Sequence, residues 1–171
     1  MSLTTPKKKR KSKTLSALSA YAEKRRFSGK GKTNEPKGKA VPEKPGKKHI
    51  FVIHKHHASH LHWDLRLEMN GVLKSWAVPK EPPRVKGVRR LAMHVEDHPL
   101  QYARFHGTIP EGNYGAGKVE IWDKGRYWLK KKNSKEIEFV LEGKKMKGTY
   151  ILVKTHYGSR PEKSWLWMKV G

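Results

Sequence analysis

Strict alternation between apolar and polar residues over 61–68 is the feature that most restricts how this chain folds. The segment reads LHWDLRLE, with apolar residues at the odd positions and polar residues at the even positions. A period of two is that of a β-strand, whose successive side chains point to opposite faces. Asn70-Gly71 follows, which is typical of a two-residue hairpin turn. The segment therefore predicts a strand with one apolar face and one face that carries His62, Asp64, Arg66 and Glu68.

Short strand-like segments recur through the remainder of the chain. They cover 72–78, 90–98, 119–122, 125–130, 136–141, 149–153 and 165–170, with turn residues between them. The sequence has no long helical pattern after residue 48 and no internal repeat. Eight or so short strands predict a mainly β fold, an antiparallel β-barrel that is closed or nearly closed, with a few short flanking helices.

The first 48 residues have a different composition. Residues 1–17 are rich in Lys, Ser and Thr and predict a disordered basic tail, whereas 15–27 carry apolar residues at the spacing of a short helix. Residues 28–48 are rich in Gly, Pro and Lys, which is typical of a flexible linker. We predict a tail and linker over 1–48 and a barrel domain over 49–171. The run PKKKRK at 6–11 is either a nuclear localisation signal or an arm that binds nucleic acid.

Positive charge extends along the whole chain. Lys and Arg number 39 against 15 Asp and Glu, and the formal net charge is +24. Residues 1–48 hold only 16 of the basic residues, so the tail alone does not explain the excess. Nucleic acid is the natural polyanionic partner, and a ribosome-like or non-specific basic protein is the alternative.

Two absences in the sequence restrict the class of protein further. The chain has no cysteine, so a metal would have to be held by His, Asp or Glu. No apolar run approaches the roughly 18–20 residues of a membrane span, and no secretory signal follows the basic N-terminus. We expect a soluble monomer with no membrane contact, in the cytoplasm or nucleoid of a prokaryote or the nucleus of a eukaryote.

His56, His62 and Asp64 are the candidate metal ligands. His62 and Asp64 lie on one face of the predicted strand, roughly 7 Å apart. His56 lies six residues earlier and reaches the same face if the chain stays extended. Two imidazoles and one carboxylate suit Mn²⁺, Fe²⁺ or Zn²⁺. The alternative is a solvated sheet face that is merely rich in histidine.

The neighbouring residues favour the metal site over a solvated face. Arg66 continues the polar face of 61–68, and Arg90, Glu96 and His98 are assigned to the polar face of 90–98. If these faces meet inside the barrel, a metal and an anionic substrate would offset the cost of burying their charges. Arginine is also suited to bidentate contact with phosphate.

Three longer segments resemble one known family. They are KHHASHLHWDLRLEMNGVLKSWAVPK (55–80), RRLAMHVEDHPLQYARFHGTIPEGNYGAGKVEIWDKG (89–125) and WLWMKV (165–170). The sequence resembles, from about Ala20 to its end, the 3′-phosphoesterase module of bacterial ATP-dependent DNA ligase D, which also occurs as a stand-alone protein.

The resemblance implies an activity, a cofactor and partners. It implies a barrel-centred fold with an interior groove, removal of a 3′-terminal ribonucleoside and then of the 3′-phosphate, and DNA or DNA–RNA primer–template 3′ ends as substrate. It implies Mn²⁺ as the cofactor, with Co²⁺ or Zn²⁺ as other divalent metals, and Ku and an ATP-dependent DNA ligase as partners in non-homologous end joining. The metal ligands it implies are His56, His62 and Asp64.

The resemblance also implies roles for further residues. Arg66, His98 and Tyr102 match positions that contact phosphate or act in catalysis. Lys80, Arg90 and Glu96 match further functional positions, although an exposed lysine at a turn and ordinary packing remain the simpler interpretations of Lys80 and Tyr102.

The N-terminal part departs from the family pattern of Arg-Asp-Phe followed by Glu-Pro. Here Lys24-Arg25-Arg26-Phe27 is followed later by Glu35-Pro36. Arg25 and Glu35 are expected to keep their substrate-binding roles, whereas Arg26 replaces an acidic residue and takes no role. The balance between the diesterase and monoesterase steps is open for this reason.

Two other classes of protein remain open from the sequence. One is a non-catalytic barrel that binds nucleic acid, which fits the net charge equally well. The other is a mononuclear iron oxygenase, which also uses two histidines and a carboxylate.

Overall fold

The computed structural model describes residues 17–27, 33–38 and 48–171. Helix α1 (Ser19–Phe27) precedes nine strands: β1 (His49–His57), β2 (Leu61–Met69), β3 (Val72–Val78), β4 (Arg89–His98), β5 (Gly107–Ile109), β6 (Gly117–Lys132), β7 (Glu136–Glu142), β8 (Lys147–Lys154) and β9 (Ser164–Lys169). Short 3₁₀ helices span Leu100–Arg104 and Pro161–Lys163. The mainly β prediction and the short helix near 15–27 are confirmed. The PKKKRK run and the side chain of Arg26 lie outside the described residues.

Eight of the nine strands close into an antiparallel barrel. The order is β1-β2-β3-β4-β9-β8-β7-β6, and β6 pairs back with β1 to complete the ring. Neither β1 nor the short strand β5 is among the predicted segments, and the predicted segments 119–122 and 125–130 form the single strand β6. Strand β5 pairs with the first residues of β6. Asn70 and Gly71 have φ of 52° and 78°, the left-handed conformation that a two-residue hairpin turn between β2 and β3 requires. The barrel prediction is therefore confirmed. None of the helices in the described ranges is long and apolar enough to cross a membrane.

The barrel interior is filled with apolar side chains. Trp63, Leu65 and Leu67 of β2 join a core that includes buried residues from the seven other barrel strands, such as Phe51 of β1 and Trp167 of β9. An eight-stranded barrel leaves an interior just wide enough for such side chains. The polar face of β2 therefore lies on the outer side of the wall. The expectation that the polar faces meet inside the barrel is wrong.

A second apolar cluster covers this outer side. Tyr21 of α1 packs there with Tyr102 and Phe105, which lie in and just after the first 3₁₀ helix, and with Val52 and Val119 of the wall. Tyr21 also donates a hydrogen bond from its hydroxyl to the backbone oxygen of Pro36 at 2.5 Å. The helix α1 and residues 33–38 thus flank the outer wall, where the candidate ligands lie. The sequence analysis placed both segments in the tail and linker.

Candidate active site

The candidate metal ligands meet because β1 and β2 are antiparallel neighbours. The register sets His56 opposite His62 and His54 opposite Asp64. Directly opposed residues share a face of the sheet, so all four side chains project from the outer wall. One ligand atom from each of His56, His62 and Asp64 can be chosen so that all three lie within 4.8 Å of one another. The structure therefore brings the predicted triad together.

Backbone carbonyls fix the orientation of both imidazoles. Nε2 of His56 donates to the backbone oxygen of Gly115 at 2.6 Å, and Nδ1 of His62 donates to that of His60 at 3.1 Å. Because a carbonyl oxygen only accepts, these nitrogens carry the hydrogens. The opposite nitrogens face one carboxylate oxygen: Nδ1 of His56 lies 3.7 Å and Nε2 of His62 lies 3.2 Å from Oδ2 of Asp64. Each ring thus offers its second nitrogen toward Asp64.

This arrangement fits a divalent cation. Histidine ligands in proteins donate their other ring N–H to a carbonyl or carboxylate, as both rings do here. Burial alone raises the pKa of Asp64, but the Arg66 charge, followed by the interactions with His56 and His62, holds it well below its usual range. Burial lowers the pKa of His62, but its hydrogen bond and charge interaction with Asp64 give a net rise. An ionised carboxylate therefore faces two nitrogens at a point where positive charge is stabilised.

Arg66 lies beside the triad and is held on three sides. Its Nε donates to Nδ1 of His54 at 3.1 Å, and its Nη1 donates to Oγ of Ser75 at 2.9 Å. Its Nη2 lies 3.5 Å from Oδ2 of Asp64. The Arg66 side chain is buried, and its guanidinium lies 4.7 Å from the ring centroid of Tyr102. Arg66 is therefore a fixed cation next to the candidate metal site.

A second set of charged residues comes from outside the barrel. Arg25 of α1 donates to Glu35 at 2.9 and 3.2 Å and to Glu96 at 3.2 Å. Tyr102 donates from its hydroxyl to the same Glu35 oxygen at 2.9 Å. Burial lowers the pKa of Arg25, but the charge and hydrogen bonds of Glu35 give a net rise. These contacts tie α1 and residues 33–38 to the wall through ion pairs.

His98 is neutral in this environment. Its Nδ1 donates to the backbone oxygen of Glu96 at 2.9 Å, so its Nε2 is the atom that accepts from Nη2 of Arg25 at 3.3 Å. Burial, followed by the charges of Arg66 and Arg25, holds the pKa of His98 well below its usual range. Burial also raises the pKa of the neighbouring Tyr102. Both groups are therefore uncharged at neutral pH.

The two sets of residues line one groove of about 330 Å³. Its lining includes the three candidate ligands together with Arg25, Glu35, Arg66, Glu96, His98 and Tyr102. The groove has two cations, two carboxylates that are paired with Arg25, a candidate metal site and neutral hydrogen-bonding groups side by side. An arrangement of this kind can bind a phosphate and stabilise the charge that develops on its oxygens.

Lys80 and Arg90 are placed elsewhere, and neither lines the groove in the described part of the chain. Lys80 is exposed after β3. Arg90 lies opposite Trp167, whose side chain belongs to the barrel core, and its Nε donates to the backbone oxygen of Glu81 at 2.7 Å. A register shift between β3 and β4 changes which face of the sheet the β4 side chains point to before His98 is reached. Arg90 and His98 therefore do not share a face, and the sequence prediction on this point is wrong.

Several residues of the site were not found from the sequence. His54 has the parity of His56 and His62, so the alternation in β1 contains the signal for it. Ser75 and Lys24 carry no such signal, because their roles depend on contacts with Arg66 and with Glu96, which accepts from Lys24 at 2.6 Å. The segment 110–117 approaches the site through the carbonyl of Gly115.

Comparison with known proteins identifies one family and several relatives. Residues 54–154 match the family described as the DNA Ligase D 3'-phosphoesterase domain. The chain is 47% identical over 135 residues to the multifunctional non-homologous end joining protein LigD of Mycolicibacterium smegmatis, which covers 72% of this chain. It is 43% identical over 158 residues, 89% of this chain, to the protein of the same name from Pseudomonas aeruginosa.

A third relative is similar to the same extent. The multifunctional non-homologous end joining DNA repair protein LigD of Mycobacterium tuberculosis is 48% identical over 136 residues, 77% of this chain. The matched part is 18% of each of these three proteins. The chain thus corresponds to less than a fifth of the length of relatives that are named as multifunctional.

Proposed function

This chain belongs to the DNA ligase D 3′-phosphoesterase domain family, and on that premise we propose that its groove hydrolyses phosphoesters at the 3′ ends of nucleic acid strands. Two reactions are proposed. A phosphodiesterase step removes a 3′-terminal ribonucleoside and leaves a 3′-phosphate, and a phosphomonoesterase step then leaves a 3′-hydroxyl. The observation that carries the proposal is the convergence of a His-His-Asp triad with Arg66 and Arg25 in one groove.

The proposed cofactor is Mn²⁺, with Co²⁺ and Zn²⁺ as other metals that suit the same ligands. His56, His62 and Asp64 would hold it through Nδ1, Nε2 and a carboxylate oxygen. A divalent cation bound there polarises a phosphoryl oxygen and lowers the pKa of a bound water. The backbone carbonyls of Gly115 and His60 support this assignment, because they leave the facing nitrogen of each ring free to bind.

Arg66 and Arg25 are proposed to bind the phosphate. Arg66 is fixed by His54 and Ser75, so its guanidinium needs little reorganisation when charge develops on the phosphoryl oxygens. Arg25 donates hydrogen bonds to Glu35, Glu96 and His98, and a phosphate that enters the groove would accept some of these hydrogen bonds in their place. Tyr102, which donates to Glu35, is proposed to offer its hydroxyl to a phosphate oxygen instead.

His98 is proposed to supply the proton for the leaving oxygen. Burial, followed by the charges of Arg66 and Arg25, disfavours a proton on its Nε2 in the free protein. A bound phosphate offsets these charges, so the imidazole gains a proton more readily when substrate is present. Water then attacks phosphorus and releases one proton to solvent as the bond from phosphorus to the leaving oxygen breaks. Nε2 of His98 donates to that oxygen the proton that it gained from solvent on substrate binding.

The remaining candidate residues are proposed to act around the groove. Glu96 accepts from Lys24 and Arg25 and is proposed to position these cations. Glu35 is proposed to contact the sugar of the substrate from its place beside Arg25 and Tyr102. Lys80 and Arg90 are proposed to contact the nucleic acid strand outside the groove.

The biological context is proposed from the relatives. They are named as non-homologous end joining proteins, so we propose that this chain acts on DNA or DNA–RNA primer–template ends at double-strand breaks. Ku and an ATP-dependent DNA ligase are the proposed partners in this process. The ligase is proposed because a 3′-hydroxyl is the end that a ligase or polymerase requires.

A gel assay with 5′-labelled primer–template tests the proposed function. One primer ends in a 3′-ribonucleotide and another in a 3′-phosphate, and each is incubated with Mn²⁺ or with a chelator. Conversion of both primers to a 3′-hydroxyl in Mn²⁺ only, with no conversion by Asp64→Asn, is the expected result. Action on the 3′-phosphate alone would point to a monoesterase and to the altered segment around Arg26. No product from either primer would overturn the proposal and favour a protein that only binds nucleic acid.

A further inference from the structure

An exposed tyrosine stands at the rim of the groove and has no part in the mechanism above. Tyr114 lines the groove, yet 42% of the residue remains accessible to solvent. By contrast, Tyr21, Tyr102, Tyr127 and Tyr150 are all buried. Burial in a core therefore does not account for the aromatic ring at this position.

The backbone places Tyr114 next to the candidate metal ligands. The residue that follows it, Gly115, accepts a hydrogen bond from His56 through its carbonyl oxygen. Gly115 has a φ of +73°, and a Cβ at this position would lie 3.3 Å from Cε1 of His56. The turn is therefore packed against His56, and Tyr114 directly precedes in sequence the residue that contacts the triad.

Two basic residues hold the ring in position. Nζ of Lys24 lies 4.8 Å from the ring centroid and donates to the Tyr114 hydroxyl at 3.2 Å. Cζ of Arg25 lies 5.5 Å from the same centroid. Lys24 is also paired with Glu96 at 2.6 Å, so the lysine does not depend on the tyrosine for a partner. The ring is restrained while much of its surface stays open to solvent.

We propose that Tyr114 stacks on the terminal nucleobase of a strand whose 3′-phosphate lies at the triad. The inference rests on the proposed function, because it takes the phosphate site as given. Proteins that bind single strands without sequence preference combine a basic groove with aromatic rings on which bases stack, since every base offers a π-face. Tyr114 with Lys24 and Arg25 is such a combination. A base is joined to its 3′-phosphate through a single sugar, so a ring beside the triad is within its reach.

Stacking gives the site a preference for an ordinary nucleoside over an end that lacks a base. It also lets one enzyme act on all four bases, because the ring makes no base-specific hydrogen bond. Tyr114 is thus the residue that distinguishes a strand end with a base from one without a base. Its hydroxyl accepts the hydrogen bond from Lys24 that helps to position the ring.

Paired substrates and variants test this proposal. Each 5′-labelled primer carries a 3′-phosphate, and its last nucleoside has a base or is an abasic analogue. Wild type, Tyr114→Ala, Tyr114→Phe and the control Tyr157→Ala are compared by kcat/KM. Tyr157 is a suitable control because it is 76% exposed and does not line the groove in the described part of the chain.

The expected result is a loss that depends on the base. Tyr114→Ala lowers kcat/KM about tenfold on the intact end, mainly through KM, and changes it less than about twofold on the abasic end. Wild type prefers the intact end by a similar factor, and Tyr157→Ala behaves as wild type. Tyr114→Phe keeps the ring but loses the hydroxyl contact with Lys24, and it retains most of the preference for the intact end. An equal loss on both ends, or no loss at all, would overturn the proposal.

A binding measurement separates this inference from the proposed function. The primer then ends in 2-aminopurine, and the protein is kept in chelator so that no turnover occurs. Wild type and Tyr114→Phe are expected to quench the fluorescence on binding, because a stacked base is quenched, whereas Tyr114→Ala is not. If wild type quenches but hydrolyses neither primer, the proposed function fails and stacking stands. If binding to wild type leaves the fluorescence unchanged, stacking fails whatever the activity.

Discussion

Arg66 donates a hydrogen bond from Nε to Nδ1 of His54 at 3.1 Å, across the β1–β2 pair. His54 in turn donates from Nε2 to the backbone oxygen of Phe105 at 2.9 Å. Burial and the Arg66 charge lower the pKa of His54 to about 3, so the imidazole is neutral and its tautomer is fixed by these two partners. A neutral buried histidine thus serves as the acceptor that aims the Arg66 guanidinium at Asp64.

Removal of this acceptor is expected to lower both stability and activity. His54→Ala leaves Nε of a buried arginine without a partner and opens a cavity, at a cost of about 2–4 kcal/mol in the free energy of unfolding. It also frees Arg66 to turn away from the groove, so kcat/KM on a 3′-phosphate primer falls tenfold or more, by the order of one charge-assisted hydrogen bond. His54→Gln retains an acceptor and should recover part of both losses. Urea denaturation and steady-state kinetics measure the two effects, and an unchanged kcat/KM in His54→Ala would contradict the role given to Arg66.

Loss of one imidazole from the triad is expected to abolish metal binding while the barrel survives. The barrel core lies on the opposite side of the wall from His62, so His62→Ala removes no core contact. A metal at 100 times its Kd stabilises a native protein by about 2.7 kcal/mol. Mn²⁺ should therefore raise the Tm of wild type but not that of His62→Ala, with His57→Ala as a control from the exposed end of β1. Equal Tm shifts in wild type and His62→Ala would refute the ligand assignment.

Removal of Arg25 is expected to destabilise the protein through the acids it leaves behind. The Glu35 and Glu96 side chains are only 1% and 4% exposed, and both accept from Arg25. Breaking a buried ion pair from one side costs about 3–5 kcal/mol, so Arg25→Ala should lower the free energy of unfolding by that order. Adding Glu35→Gln to Arg25→Ala should recover part of the loss, because one stranded charge is removed. The exposed Arg104→Ala is the matched control, and a double variant no more stable than Arg25→Ala would show that the charge is not the cause.

The sequence determined the strand that carries the site but not the side of the wall on which it lies. Alternation in β2 predicted that His62, Asp64 and Arg66 share a face, and the parity of His56 was enough to include it. Between Trp63 and Leu67 both faces of β2 are buried, however, and only the volume of the closed barrel decides that Leu65 points inward. The register shift in β4 that separates Arg90 from His98 arises from pairing with β3, and no local pattern reports it. The contact of Glu35 with Tyr102 joins residues 67 positions apart in the chain, and its contact with Arg25 spans ten positions through a segment rich in turn residues, so periodicity detects neither.

Acidification is expected to destabilise the metal-free protein through His98. Its folded pKa is well below the ordinary value of 6.5, because of burial and the charges of Arg66 and Arg25. Below pH 6.5 the unfolded chain therefore binds a proton that the native protein excludes, and the free energy of unfolding falls as pH falls. One such proton contributes a slope of at most about 1.4 kcal/mol per pH unit.

The contribution of His98 is isolated by substitution. His98→Asn keeps a polar side chain that does not titrate, so its Tm should fall less than that of wild type between pH 7.5 and pH 5.5. His54 and His94, whose pKa values are also lowered, contribute in the same direction and are unchanged in both proteins, while the raised pKa of His62 opposes them. Parallel Tm profiles for wild type and His98→Asn would mean that His98 takes up its proton equally in the native and unfolded states, which contradicts the lowered pKa.

Gly115 is expected to control metal affinity through the orientation of His56. Its φ of +73° disfavours any other residue, and a Cβ would crowd Cε1 of His56 at 3.3 Å. Gly115→Ala should therefore displace the carbonyl that accepts from His56, and loss of such a supporting hydrogen bond typically costs roughly 10- to 100-fold in metal affinity. Gly87→Ala is the matched control, because Gly87 has a φ of +89° and, in the described part of the chain, no atom beyond Gly87 and its two chain neighbours lies within 4 Å of the point that its added methyl group would occupy. Titration with Mn²⁺ should give a higher Kd for Gly115→Ala and a wild-type Kd for Gly87→Ala. Both variants carry the backbone strain, but only the methyl group of Gly115→Ala contacts a metal ligand, His56. Equal Kd values for the two variants would show that the hydrogen bond from His56 to the Gly115 carbonyl does not affect metal affinity.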